Sequence, residues 1–144
     1  RHAKRRPGAK PMTQKQQVEI LMNELLRFAK QMLSDHGEFH PFGGYVDLQG
    51  RLVHVGLEPG TSEASGEERF SGLVEGLKKR NTNALASGAV ANVSLDHAEG
   101  DSAVRLQLEH RDGYCVEVFQ PYFFSADGLH FGSKFAQKGV HLLF

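Results

Sequence analysis

The chain has 144 residues, of which 40% are hydrophobic and 24% are charged, and its formal net charge at pH 7 is zero. This composition is typical of one globular domain and excludes a collagen-like, fibrous or wholly disordered protein. The longest apolar runs are far shorter than the roughly 20 residues of a membrane helix, and no secretory signal is visible, so we expect a cytoplasmic protein.

The first eleven residues differ from the rest in charge. They hold five of the 17 basic residues and none of the 17 acidic ones, which leaves 12 against 17 and a net charge of −5 for residues 12–144. With its prolines and glycine, this basic arm is predicted to be disordered. It either grips phosphates of a nucleic acid or is foreign to the native chain, with Met12 as the native start. We expect residues 12–144 to form a single α+β domain.

The first predicted helix spans residues 14–36. Thr13 and Gln16 have the spacing of a capping box, and Gly37 is placed to end the helix in a left-handed conformation. Apolar residues recur at spacings of three and four and form one stripe: Val18, Leu21, Met22, Leu25, Phe28, Ala29, Met32 and Leu33.

The second predicted helix spans residues 66–80. Ser65 and Glu68 repeat the capping-box spacing, and three basic residues stand at 78–80, where the helix dipole favours cations. Residues 58–64 between the first hairpin and this helix are predicted to be an exposed loop.

Three hairpins are predicted, and one can be placed by register. A three-residue loop at 111–113 sets Leu108 opposite Val116 and Leu106 opposite Val118, whereas a two-residue loop would set Leu108 opposite a glutamate. The other two hairpins join 43–47 to 51–57 and 122–125 to 129–132, and residues 89–95 alternate like a further strand.

The order α-β-β-α-β-β-β-β predicts an α+β fold with an antiparallel sheet of about five to six strands and both helices packed on one face. Pro121 cannot donate a ladder hydrogen bond, so we expect its strand to be bulged there or to lie at an edge of the sheet.

One local group of residues suggests metal or acid/base chemistry. His36, Glu38 and His40 straddle a glycine turn, and imidazole and carboxylate groups are ligands that zinc prefers. The favoured alternative is that these side chains only cap the helix and bond the loop. No cofactor is predicted.

Cys115 is the only cysteine, which excludes a disulfide within the chain and a zinc site built from cysteines. As a nucleophile it would have Glu109 opposite it, but the register puts His110 on the other face, where it cannot take the thiol proton. An inert, partly buried cysteine is therefore favoured.

The same register gathers polar groups on one sheet face, which is either a recognition site or a solvated face. Its members are Arg105, Gln107, Glu109, Cys115, Glu117 and Phe119.

Aromatic residues are concentrated near the end of the chain, where residues 114–144 hold eight of the 13. Tyr122, Phe123 and Phe124 are consecutive and cannot all enter one face. Either the C-terminal tail covers the remaining ring, or a homodimer or other protein partner does.

Residues 37–43 (GEFHPFG), 108–114 (LEHRDGY) and 119–122 (FQPY) resemble a group of small bacterial proteins to which no activity is assigned. The resemblance covers about residues 14–137 and implies a bacterial, cytoplasmic α+β protein, but no catalytic residue.

We therefore expect a non-enzymatic binding or interaction protein of the regulatory or immunity kind, which contacts a protein partner or itself. The interaction residues would be Arg105, Gln107, Glu109, Glu117, Phe119, Tyr122, Phe123 and Phe124. The alternatives are an enzyme that uses His36, Glu38 and His40 and a nucleic-acid binder that uses the basic arm.

Overall fold

A computed structural model describes residues 12–56, 66–95 and 102–144. Its helices are α1 (Gln14–His36) and α2 (Gly66–Lys79), with a 3₁₀ turn at Asn81–Asn83. Its strands are β1 (Phe42–Asp47), β2 (Leu52–Val55), β3 (Ala84–Ser94), β4 (Ser102–His110), β5 (Cys115–Ser125), β6 (Gly128–Phe131) and β7 (Phe135–Lys138). The predicted α+β class and the predicted order of elements are confirmed, with one further strand, β7, after them. The basic arm and the 58–64 loop lie outside the described residues.

All strand pairs of the described sheet are antiparallel, in the order β2-β1-β3-β4-β5-β6, with β7 also paired to β5. Two neighbours therefore share the outer side of the long strand β5. β6 pairs with its second half, and β7 pairs with its first half.

The bounds predicted for α1 are those of the structure. Thr13 Oγ1 accepts from the Gln16 N–H at 3.1 Å, and the Gln16 side chain accepts from the Thr13 N–H at 2.9 Å. Gly37 ends the helix at φ 76°, a conformation that glycine adopts without steric cost. For α2 the predicted cap, Ser65, lies outside the described residues.

The register predicted for β4 and β5 is also confirmed. Leu108 pairs with Val116 and Leu106 pairs with Val118. Gly113 sits at φ 118°, and the His110 N–H donates to the Tyr114 carbonyl at 2.7 Å, which closes the three-residue loop.

Asp47 forms the turn between β1 and β2. Its Oδ1 accepts from the N–H groups of Gln49 and Arg51, each at 2.9 Å, and its Oδ2 accepts from the Arg51 side chain. Hydrogen bonds from Arg51 hold the pKa of this carboxyl below its usual value. The charged form is therefore the one that closes the hairpin.

The prediction for Pro121 is wrong. β5 is an inner strand and runs past Pro121 without a shift in its pairing to β4. The Pro121 carbonyl accepts from the Gly132 N–H. Since the nitrogen and carbonyl of one residue point to the same side of an antiparallel strand, the proline nitrogen, which has no hydrogen, faces the gap between β6 and β7. The Gly132 carbonyl accepts instead from the Gln120 side chain at 2.7 Å, which replaces the lost ladder bond.

The two helices lie on opposite faces of the sheet, which corrects the prediction that they share one. On β1, Phe42 and Val46 join the α1 cluster, whereas Tyr45 joins the cluster of Leu73 and Leu77 from α2. Every residue of β1 is buried, because both faces of that strand are covered.

Among the described residues, no helix is long and apolar enough to cross a membrane.

Candidate functional site

The predicted polar face exists as a row across β4 and β5. The pairs that form it are Arg105 with Phe119, Gln107 with Glu117, and Glu109 with Cys115.

Two members of this row are not at the surface. Gln107 is 1% exposed and Glu109 is 0% exposed, because residues 139–144, the C-terminal tail, contact them. Leu143 of the tail is buried in the same cluster as α2. The prediction of an open recognition face or a solvated face is therefore wrong at these two positions.

The Glu109 carboxylate holds the C-terminal tail through backbone amides. It accepts from the N–H groups of Leu142 at 2.7 Å, Leu143 at 3.0 Å and Phe144 at 3.2 Å. Its Oε1 also lies 3.6 Å from His141 Nδ1. A buried carboxylate needs such donors to offset its loss of water.

Gln107 connects the same groups from the side of β4. Its Nε2 donates to Glu109 Oε2 at 2.9 Å and to the Val140 carbonyl at 2.6 Å, and it lies 3.6 Å from Cys115 Sγ. One amide thus fixes the carboxylate, the thiol and the tail relative to one another.

At the other end of the row, Arg105 forms an ion pair with Glu117. The guanidinium also lies over the Phe70 ring, 5.1 Å from its centroid, and Gln137 of β7 donates to Glu117. These contacts join α2, β4, β5 and β7.

Cys115 is half-buried and lies directly opposite Glu109. Burial, followed by the negative charge of Glu109, raises the pKa of its thiol. As predicted, His110 lies on the opposite face, where its Nε2 contacts Gln17 of α1. The reactive thiolate form is disfavoured, and this imidazole is not positioned to generate it.

The metal candidates His36, Glu38 and His40 are all exposed. His40 Nδ1 lies 2.9 Å from an Arg69 guanidinium nitrogen. Within the described part of the chain, the one group of three metal-ligand side chains with mutually close ligand atoms is Glu109, Cys115 and His141. The structure thus does not bring the three predicted candidates together as a ligand set.

A cleft of about 530 Å³ brings together residues from separate predictions. Glu38, His40 and Arg105 all line it, together with Arg69 and Phe70 of α2. The volume is that of a small-molecule site, yet Arg105 is engaged by Glu117 and Arg69 by His40.

The three consecutive aromatic residues 122–124 are divided between the two faces of the sheet, because successive side chains of a strand point to opposite faces. Tyr122 is buried and its hydroxyl donates to Asn92 at 2.6 Å. Phe123 stacks on His130 with 5.0 Å between ring centroids, and Phe124 lies edge-on to Tyr122.

Four phenylalanines near β6 and β7 remain exposed. Their exposed fractions are 46% for Phe123, 53% for Phe124, 37% for Phe131 and 43% for Phe135. Phe131 also lies under Lys30 of α1, with 4.7 Å from Nζ to the ring centroid. The C-terminal tail, which was one predicted cover for these rings, lies instead on Gln107 and Glu109.

Sequence reasoning did not single out His141, and one of its alternatives placed the C-terminal tail over the aromatic residues 122–124 rather than on Gln107 and Glu109. The available signal was the apolar segment of Val140 and residues 142–144, with a single imidazole among these apolar residues. That pattern indicates a segment that packs on the domain.

Comparisons with protein-family models, with curated proteins and with solved structures find no match to this chain. The resemblance to small bacterial proteins therefore stays a prediction.

Proposed function

We propose that this protein is a non-enzymatic interaction domain and that its partner is a second copy of the chain. The observation that carries the proposal is the open edge of β6, which has exposed rings on both sides of it. An edge strand of this kind is a template for pairing with another strand.

The outer edge of β6 is unpaired within the described residues. The strand pairs with β5 on its inner side only. Its sequence, Gly-Leu-His-Phe, has neither the lysine nor the proline that commonly blocks edge pairing.

The hydrogen-bond pattern identifies the groups that point outward. The Gly132 N–H donates to the Pro121 carbonyl of β5. Because backbone groups alternate in direction along a strand, those of Gly128 and His130 also point toward β5. Leu129 and Phe131 then direct their N–H and C=O groups away from the sheet.

These outward groups match a second copy of the same strand. Antiparallel pairing about a two-fold axis at His130 sets Leu129 of each copy opposite Phe131 of the other. Each of these two pairs exchanges two backbone hydrogen bonds, which gives about four in all. Leu129 and Phe131 then share a face with the exposed Phe124. The axis sets the two His130 residues opposite each other.

The exposed rings supply the apolar area that a four-residue strand lacks. A stable interface buries more than about 1,000 Å², and aromatic side chains, phenylalanine included, are enriched in such surfaces. Phe123 and Phe124 flank the proposed axis on opposite faces.

Self-association is tested by sedimentation velocity over a range of concentrations. Wild type should form a dimer, and Phe124→Ser should weaken it by about tenfold or more. The matched control is Leu52→Ser, which removes a 40% exposed side chain from the opposite edge strand, β2, and should leave the dimer intact. A monomeric wild type, or equal loss in the control, would contradict the proposal.

A cysteine cross-link tests the register. His130→Cys in a Cys115→Ser background should form an intermolecular disulfide under mild oxidation, because opposed residues of a non-hydrogen-bonded pair are about 4.5 Å apart at Cα. His54→Cys, on the other edge strand, is the control and should remain monomeric on a non-reducing gel.

A further inference from the structure

We propose that Glu109, Cys115 and His141 form a site for a zinc-class transition metal, with a fourth position open to water or an exogenous ligand. The proposal is independent of self-association through β6. It is compatible with the exclusion of a zinc site built from cysteines, because a mixed ligand set needs only one cysteine.

The three groups offer the ligand types that such ions prefer: a thiolate, an imidazole nitrogen and a carboxylate oxygen. Their ligand atoms lie within 4.8 Å of one another. Tetrahedral zinc, with bonds of about 2.0–2.3 Å, sets its ligands about 3.3–3.8 Å apart, so a closure of about 1 Å completes the geometry.

The fold places two of the ligands rigidly. Glu109 and Cys115 are directly opposed on β4 and β5, so their side chains leave the sheet on the same face. His141 comes from the tail, with its Nδ1 already 3.6 Å from Glu109 Oε1. Since the His141 side chain is 52% exposed, its ring is free to make the remaining adjustment.

Gln107 supplies the support that metal ligands require. Its amide contacts both Glu109 Oε2 and Cys115 Sγ, which fixes the two groups from outside the coordination shell. Such outer contacts orient ligands and strengthen metal binding.

Electrostatics favours a cation at this point. The Glu109 carboxylate is fully buried. Its hydrogen-bond donors are neutral amides, and within the described residues its one ion-pair partner is the half-exposed His141. A bound divalent ion would add positive charge and would take the thiol in its deprotonated form, with the proton released to solvent.

The consequence is a metal that fastens the tail to the sheet. His141 is next to Leu142 and Leu143, whose amides bond Glu109. Coordination through the His141 ring would therefore help to hold the docked tail, in exchange for the Glu109 hydrogen bond that the ion displaces.

Titration of the chelator-treated, full-length protein with Co²⁺ and Zn²⁺ tests the site. We expect one ion per chain, a thiolate-to-cobalt charge-transfer absorption, and a higher melting temperature with Zn²⁺. Cys115→Ser should abolish the absorption, and His141→Ala, which alters an exposed side chain, should weaken zinc binding by about tenfold or more.

The matched control is the His36→Ala, His40→Ala double variant, which removes the predicted metal candidates and should bind as wild type does. The absence of stoichiometric binding would overturn the proposal. Metal binding that persists in both Cys115→Ser and His141→Ala would also overturn the proposal. So would metal binding that is lost in the control variant.

Discussion

His110 shows how a single buried side chain is held in one protonation state. It is 3% exposed, and its Nδ1 accepts from the Asp112 N–H at 3.0 Å. Since that nitrogen is an acceptor, the ring proton lies on Nε2 and is donated to Gln17 Oε1. Burial lowers the pKa of His110, so the folded protein keeps the ring neutral.

This arrangement predicts a pH dependence of stability. The unfolded chain protonates a histidine near pH 6.5, and the folded chain does so only at lower pH. The free energy of unfolding should therefore fall as pH drops below about 6.5, by up to about 1.4 kcal/mol per pH unit for one proton. Urea unfolding between pH 8 and pH 5 measures this slope.

His110→Gln should flatten that slope, whatever it does to the stability at pH 8. His36→Gln, which changes an exposed histidine, should keep the wild-type slope. An unchanged slope in His110→Gln would show that another titrating group causes the pH dependence of stability.

At the scale of elements, the packing of β1 against β3 and α2 leaves no room for a side chain at Gly43. A Cβ on Gly43 would lie 2.4 Å from the Gly88 carbonyl oxygen and 3.1 Å from a methyl of Leu77. The glycine is thus required by packing, since a backbone oxygen in a ladder has no room to move.

Gly43→Ala should lower the free energy of unfolding by about 2 kcal/mol or more, as overpacking in a core does. The control is Gly56→Ala at the end of β2, where a Cβ would meet nothing within 4 Å and stability should change by less than about 0.5 kcal/mol. Equal denaturation midpoints for the two variants would refute this account of the close approach.

At the scale of the whole molecule, the sheet separates two apolar clusters. One contains Leu25 of α1 with Tyr122, and the other contains Leu77 of α2, Tyr45 and Leu143 of the tail. Because β1 and β3 contribute side chains to both, loss of one cluster exposes the strands on which the other is built.

We therefore expect the described fold to unfold in a single transition. Leu25→Ala and Leu143→Ala should each lower the free energy of unfolding of that single transition by about 2–5 kcal/mol. The chain has no tryptophan and three tyrosines, of which Tyr45 and Tyr122 report on different clusters. Near-ultraviolet and far-ultraviolet dichroism curves that separate in either variant would show that the two faces unfold independently.

The sequence by itself determined the local elements. The capping box at Thr13, the end of α1 at Gly37 and the loop ending at Gly113 depend on residues a few positions apart. The alternation of aliphatic residues then determined the β4–β5 register, because a slip of one residue would divide them between faces.

Local signals were weaker at the start of β3 and at β7. β3 begins at Ala84 rather than at residue 89. Four of its first five residues are small, and the segment becomes a strand by pairing with β1 and β4. β7 is exposed throughout and carries no apolar alternation, so its pairing with β5 left no sequence signal.

Only the tertiary structure decided how the faces of the sheet are used. Helical periodicity shows that α2 has an apolar stripe but not which face it covers, and the all-buried pattern of β1 arises because α1 and α2 take opposite faces. The candidate metal site has the same origin. The β4–β5 register predicted that Glu109 and Cys115 face each other. His141 reaches them because Leu143 is buried beside α2 and its N–H donates to Glu109. Both contacts join residues that are far apart in the sequence.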